Sequence, residues 1–211
     1  MKLLIDPGHG GHDSGAVSHD GKTLEKDIVL AVGLRIKQLI YAYGEVEISR
    51  ADDSFWTLSG RARKANQFGA DLLSIHCNAG GGKGFEVFTS PGETPSDAWA
   101  TAIIEELEAD FPGRPIRKDL RDGDPDKEAR FTVLTKSRNA AVLVELGFID
   151  TEEGRAFLVN PDNQEKLAQA IAKATLRHNG LRPMLSAKPP SVGLTIEERL
   201  ARLEALHPEI K

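Results

Sequence analysis

The chain has 211 residues, 40% of them hydrophobic and 28% charged, with a single cysteine. That is enough for one full core. It leaves no disulfide within the chain and no Cys-rich zinc finger, so any metal must be held by histidines and carboxylates. The 27 Lys and Arg against 32 Asp and Glu give a formal charge of −5, with the basic residues scattered rather than striped, which argues against nucleic acid as a partner. No apolar run approaches the roughly 20 residues of a membrane span, so no membrane insertion is expected.

Lys2 to Ile5 reads as a short buried strand, and a glycine-rich loop follows to Gly21. Leu24, Ile28, Ala31, Val32, Leu34, Ile36, Leu39 and Ile40 then fall on one broad helical face over residues 24–40, with Gly44 as a stop. Val46 to Ile48 alternates like a strand, and Leu58 to Phe68 reads as a helix ended by Gly69. Leu72 to Ile75 is a buried strand running into His76. Phe85 to Phe88 is a strand, residues 96–110 a helix, and Gly113 to Arg130 a long charged loop. Phe131 to Leu134 and Ala141 to Val144 are further strand candidates, with helices near 152–158 and 163–178. This alternation predicts an α/β fold, a mostly parallel central sheet sandwiched by helices.

Residues 1–181 make the expected catalytic domain, and a Pro-rich linker spans 182–194. Thr195-Ile196-Glu197-Glu198 forms a capping box that opens a short C-terminal helix within 195–211. Ile196, Leu200, Leu203 and Leu206 lie on one face of it. A helix of about 12 residues is marginal alone, so it is expected to dock on its own domain, to self-associate through residues 195–206, or to grip another partner.

Open α/β sheets place their sites at the carboxyl ends of the strands. His9 follows the first strand, His76 ends the third, Glu145 ends Val142-Leu143-Val144, and Glu25 opens the first long helix. Two imidazoles and two carboxylates suit a catalytic zinc, which takes three such ligands and leaves a fourth position to water, with the remaining carboxylate as proton carrier. His9, Glu25 and His76 as ligands with Glu145 as the base is one assignment; spacing alone equally allows the two glutamates to exchange roles. Simpler explanations exist. A strand-end histidine is commonly a hydrogen-bonded surface residue, and a glutamate in a first helical turn favours the helix dipole without any metal. Glu145 resists such an account, because a carboxylate within Ala141-Val142-Leu143-Val144-Glu145-Leu146-Gly147 must be paired, liganded or at an exposed strand end. His12 is near enough to His9 to compete for a metal, whereas His19, His178 and His207 have weaker claims; Cys77 reads as a buried apolar residue.

Ile5-Asp6-Pro7-Gly8-His9-Gly10-Gly11, with Asp13, Gly15-Ala16 and Glu25-Lys26-Asp27, resembles the opening of the zinc-dependent N-acetylmuramoyl-L-alanine amidases of the "amidase 3" type. Ser49-Arg50, Leu58, Arg61 and Ala65-Asn66 are similar to that family's middle segment. Ser74-Ile75-His76-Cys77-Asn78-Ala79 is similar to its second histidine motif, and Val144-Glu145-Leu146-Gly147-Phe148-Ile149 to its catalytic strand. Ser14, where proline is frequent, and Cys77, where a small residue is usual, depart from the pattern at positions that are not ligands. The resemblance implies Zn2+ on His9, Glu25 and His76, Glu145 as catalytic acid/base, and bacterial peptidoglycan as substrate. The bond cut would be the amide between N-acetylmuramic acid and L-alanine.

Arg117, Lys118 and Arg121 are the candidate contacts for stem-peptide carboxylates. The start Met1-Lys2-Leu3-Leu4-Ile5-Asp6 lacks the apolar core of a signal peptide, so the expectation is cytoplasmic synthesis and action on the cell wall after release, as for a phage endolysin. The rival readings are a zinc endopeptidase that cuts within the stem peptide and a non-catalytic peptidoglycan-binding domain.

Overall fold

The computed structural model describes residues 1–183. The expected helix at 195–211 and most of the expected linker lie outside the described residues.

Among the described residues six strands form one sheet: β1 (Lys2–Pro7), β2 (Glu45–Ile48), β3 (Asp71–Asn78), β4 (Glu86–Thr89), β5 (Lys127–Glu128) and β6 (Ala141–Phe148), in the order β2-β1-β3-β6-β4-β5. β2, β1, β3 and β6 are mutually parallel, and β4 runs antiparallel to β6 and parallel to β5. The helices are α1 (Glu25–Ile40), α2 (Leu58–Phe68), α3 (Pro95–Asp110), α4 (Thr132–Thr135), α5 (Glu152–Val159) and α6 (Pro161–His178). Among the described residues no helix is long and apolar enough to cross a membrane.

Strand periodicity sorts the side chains between two cores. Leu3 and Ile5, Leu73, Ile75 and Cys77, and Val142, Val144 and Leu146 join α1, α3 and α6 in the larger core. Leu4, Leu72, Ala141 and Leu143 point the other way and meet Ala65 of α2 and Val133 and Leu134 of α4. By the same alternation Asp6, Ser74, His76 and Glu145 share the face of the smaller core, at the carboxyl ends of adjacent strands. A bidentate Arg35–Glu165 pair at 2.6 and 2.8 Å fastens α1 to α6, and the Trp99 indole N–H donates to Thr175 Oγ1 between α3 and α6.

Two expectations need correction. Phe131 to Leu134 is not a strand: Thr135 N–H and Lys136 N–H donate to the carbonyls of Phe131 and Thr132, closing the single turn of α4. A four-residue apolar run does not distinguish the two forms by periodicity, and the helical turn lets neighbouring Val133 and Leu134 bury on one side, which an alternating strand does not. The long loop is also not wholly irregular. Ile116 bridges to Phe85, and β5 pairs through Lys127 and Glu128 with Phe88 and Thr89.

Candidate metal centre

The segment that follows β1 folds back under two buried arginines. Arg61 Nη1 donates to Asp6 Oδ1 at 2.8 Å and to the carbonyl of Pro7 at 2.7 Å, while Nη2 donates to the carbonyl of His9 at 2.5 Å. Arg50 donates to the carbonyls of Pro7, Gly8 and Lys26. These bonds hold His9 in the left-handed region at φ 58°, a conformation a non-glycine residue keeps only when its surroundings fix it. The loop glycines are set by contact. A Cβ on Gly8 would lie 2.2 Å from the His76 ring, and one on Gly15 would lie 2.6 Å from both Glu25 Oε2 and His9.

This packing brings three donor atoms from distant segments together. His9 Nε2 is 3.2 Å from His76 Nδ1, and Glu25 Oε1 is 3.0 Å from each of them. A tetrahedral zinc with bonds of about 2.0 to 2.1 Å separates its ligand atoms by about 3.3 Å, so the three atoms form one face of such a tetrahedron. Glu25, 3% exposed, is anchored from behind: Ala16 N–H donates to Oε2 and Cys77 N–H to Oε1. Asp13 Oδ2 stands 2.9 Å from Nδ1 of His9 as a charge contact, without the alignment of a hydrogen bond; a carboxylate there is the usual neighbour of a ligating imidazole. Burial alone would raise the Glu25 carboxyl, but the two imidazoles overcome it and hold the group at about 2. Burial lowers the His9 imidazole, and Glu25 and Asp13 outweigh it to push it up. A buried carboxylate facing two imidazoles calls for positive charge at their centre, and the donor types are those of zinc.

Glu145 sits in register with His76 on β3 and with Glu86 on β4. Its Oε2 is buried with no hydrogen-bond partner among the described residues. Burial raises its carboxyl to about 7; His76 opposes this, while Glu25 and Glu86 add to it. A carboxyl that changes state near neutrality is suited to general acid/base work.

This carboxyl also sets a pH dependence of stability in the metal-free protein. Its folded-state value lies above the ordinary 4.5, so the neutral acid is the form the fold prefers. Stability is full below about 4.5 and falls as pH rises toward and through 7. Metal-free Glu145→Gln should be more stable than the parent at pH 8 by up to about 3 kcal/mol and equal to it near pH 4. Urea unfolding at the two pH values checks this; a difference that does not depend on pH would refute it.

The other candidates take different places. His12 is exposed and lies against the Phe55 ring at 4.1 Å, apart from the donor cluster. His19 is exposed, and His178 stacks on Trp99. Arg117 reaches the site wall: its Nε donates to Glu86 Oε1 at 2.7 Å and its guanidinium lies over Phe148. Lys118 instead pairs with Glu108 of α3 at 2.7 Å, and Arg121 is exposed beside Asp119. Sequence reasoning passed over Glu86, which is buried next to Glu145 and gripped by Arg117, Lys127 and Asn78. The signal was present, because an acid inside Phe85-Glu86-Val87-Phe88 is the same anomaly that drew attention to Glu145. The roles of Arg50, Arg61 and Asp13 left no comparable mark.

Residues 3–177 match the family model described as N-acetylmuramoyl-L-alanine amidase. The chain is 34% identical over 199 residues to the sporulation-specific N-acetylmuramoyl-L-alanine amidase of Bacillus subtilis, covering 90% of this chain and 71% of that protein. It is 35% identical over 195 residues to the Endolysin of Bacillus phage SPP1, covering 90% and 68% respectively. Among solved structures, an N-acetylmuramoyl-L-alanine amidase of Nostoc punctiforme superposes with a TM-score of 0.77 at 31% identity, over 85% of this chain and 97% of the other.

Proposed function

Since this chain belongs to the N-acetylmuramoyl-L-alanine amidase family, as a hydrolase of bacterial peptidoglycan, we propose that it cuts the amide between N-acetylmuramic acid and L-alanine with a zinc ion on His9, Glu25 and His76. The observation that carries this reading is the triangle of donor atoms at 3.0, 3.0 and 3.2 Å, with Glu145 on the same sheet face one strand away. When bound, zinc supplies Lewis-acid chemistry, polarising the scissile carbonyl and lowering the pKa of a water. The protein does the rest. Glu145 takes the proton from the attacking water on its unpartnered Oε2 and returns it to the nitrogen of the departing L-alanine amine. Asp13 orients the His9 ring, and the Arg50 and Arg61 clamp keeps it in place.

Arg117, with its side chain about half exposed at the site wall, is the best placed of the three loop cations to meet a stem-peptide carboxylate. Lys118 and Arg121 would have to leave or extend beyond their present partners. Likeness to the phage Endolysin supports a lytic role on the wall. The wall product separates this reading from a zinc endopeptidase or a non-catalytic binder. Purified peptidoglycan incubated with the zinc-loaded protein should release peptides with free L-alanine amino termini and leave glycan stripped of peptide, read by mass spectrometry, and a chelator should stop it. New amino termini elsewhere in the stem would assign an endopeptidase; intact wall would assign a binder.

A further inference from the structure

A second cluster of acids lies across the sheet edge from the metal centre. Asp97 at the start of α3, and Asp124 and Asp126 in the segment that leads into β5, each place one carboxylate oxygen within 4.8 Å of the others. Asp126 is 2% exposed. Its Oδ2 accepts from Thr89 Oγ1 at 2.7 Å, but its Oδ1 has no donor among the described residues, and neither has Asp124 Oδ1. None of the three acids forms an ion pair with a described Lys, Arg or His. Lys127, the next residue along, is turned to Glu86. Asp97 spends its oxygens on the cap of α3, accepting from Thr94 N–H and Thr94 Oγ1, and so stays fixed at the edge of the cluster.

We propose that Asp97, Asp124 and Asp126 bind a calcium ion that pins the 113–130 segment to β4 and to the start of α3. Three carboxylates with no counter-ion among the described residues, two of them offering a buried oxygen without a partner there, are the donor set of a hard cation. Calcium accepts irregular oxygen shells at about 2.3 to 2.6 Å, so two of its ligands can lie up to about 5 Å apart, which the spacing of the three acids allows; magnesium demands a tighter octahedron. Burial, with Asp124 and Asp97 close by, also raises the Asp126 carboxyl to about 7, against the Thr89 hydroxyl that lowers it, which is the response of an acid that lacks positive charge. The site bears on the amidase centre through β5, because Lys127 of that strand holds Glu86 beside Glu145.

The alternative occupant is a proton shared between Asp124 and Asp126. Calorimetric titration of CaCl2 into the zinc-loaded full chain at pH 7.5 distinguishes them. The expected result is one calcium per chain with Kd about 10⁻⁵ to 10⁻⁴ M, and Tm raised by about 3 to 6 °C at ten times Kd. Asp124→Asn should weaken calcium binding at least tenfold while zinc content stays at one per chain. Asp126→Asn should do the same if it folds, and partly exposed Asp124 carries the test if it does not. A parent protein that takes up no calcium, or an Asp124→Asn variant with an unchanged calcium response, would overturn the proposal in favour of the shared proton. The readouts are calcium uptake and melting, so they stand whether or not the wall product is that of an amidase.

Discussion

Glu145→Gln leaves a folded, zinc-binding protein whose kcat on peptidoglycan falls by about 10² to 10⁴-fold, the span ascribed to a positioned general acid/base. The substitution keeps shape and removes only the titrating proton. Glu145 lies outside the donor triangle of His9, Glu25 and His76, so metal content by elemental analysis should stay at one zinc per chain. Its Oε2 has no hydrogen-bond partner among the described residues, so no bond is lost there. Loss of zinc in this variant would instead make Glu145 a ligand and restore the exchange of roles that spacing alone allowed. Retained activity would require another residue to carry the proton. Glu86 is the nearest acid in the sheet, but Arg117 and Lys127 already neutralise it.

Arg61→Met costs about 3 to 5 kcal/mol of folding stability, measured by urea unfolding, because it strands Asp6 as an unpaired buried charge. Arg61 is 2% exposed and Asp6 0%. Ser74 Oγ would remain as a hydrogen-bond donor to Asp6, too little to hold a carboxylate out of water. The same change frees the carbonyls of Pro7 and His9, so zinc affinity should fall together with stability. Asp6→Asn with Arg61→Met should recover part of the loss, since the orphaned charge is then gone. The partly exposed Arg35–Glu165 pair serves as the contrast: Arg35→Met should cost no more than about 1 kcal/mol. Equal losses at the two sites would show that burial of the Asp6 charge is not what makes Arg61 matter.

His9 and Glu145 stood out in the sequence because chemistry and pattern conflict there. A histidine in a glycine turn and a carboxylate ending an apolar strand both defy the local periodicity. The strands β1, β3 and β6 and the helices α1 and α2 were legible for the opposite reason, since period and burial agree in them. The turn of α4 was not, because four apolar residues fit a strand or a helical turn equally well, and contact with Ala65 on α2 decides between them. Nor was β5, whose two residues have no period to read. The arginine clamp was invisible because all its acceptors except Asp6 Oδ1 are backbone carbonyls, which every sequence possesses. The acid cluster of Asp97, Asp124 and Asp126 hides for another reason: its members lie on two separated segments that meet only when β5 pairs with β4.

The order β2-β1-β3-β6-β4-β5 places β6, the last strand of the described residues, in the middle of the sheet. Until Ala141 to Phe148 has emerged from the ribosome, the β2-β1-β3 group and the β4-β5 pair share no edge, and Glu145 does not yet exist. His9, Glu25 and His76 can be made early, but Glu145 and the structural join arrive together in one event. A chain that stops before Ala141 therefore lacks both the central strand and Glu145. Completion of the sheet and delivery of Glu145 are thus a single step of assembly.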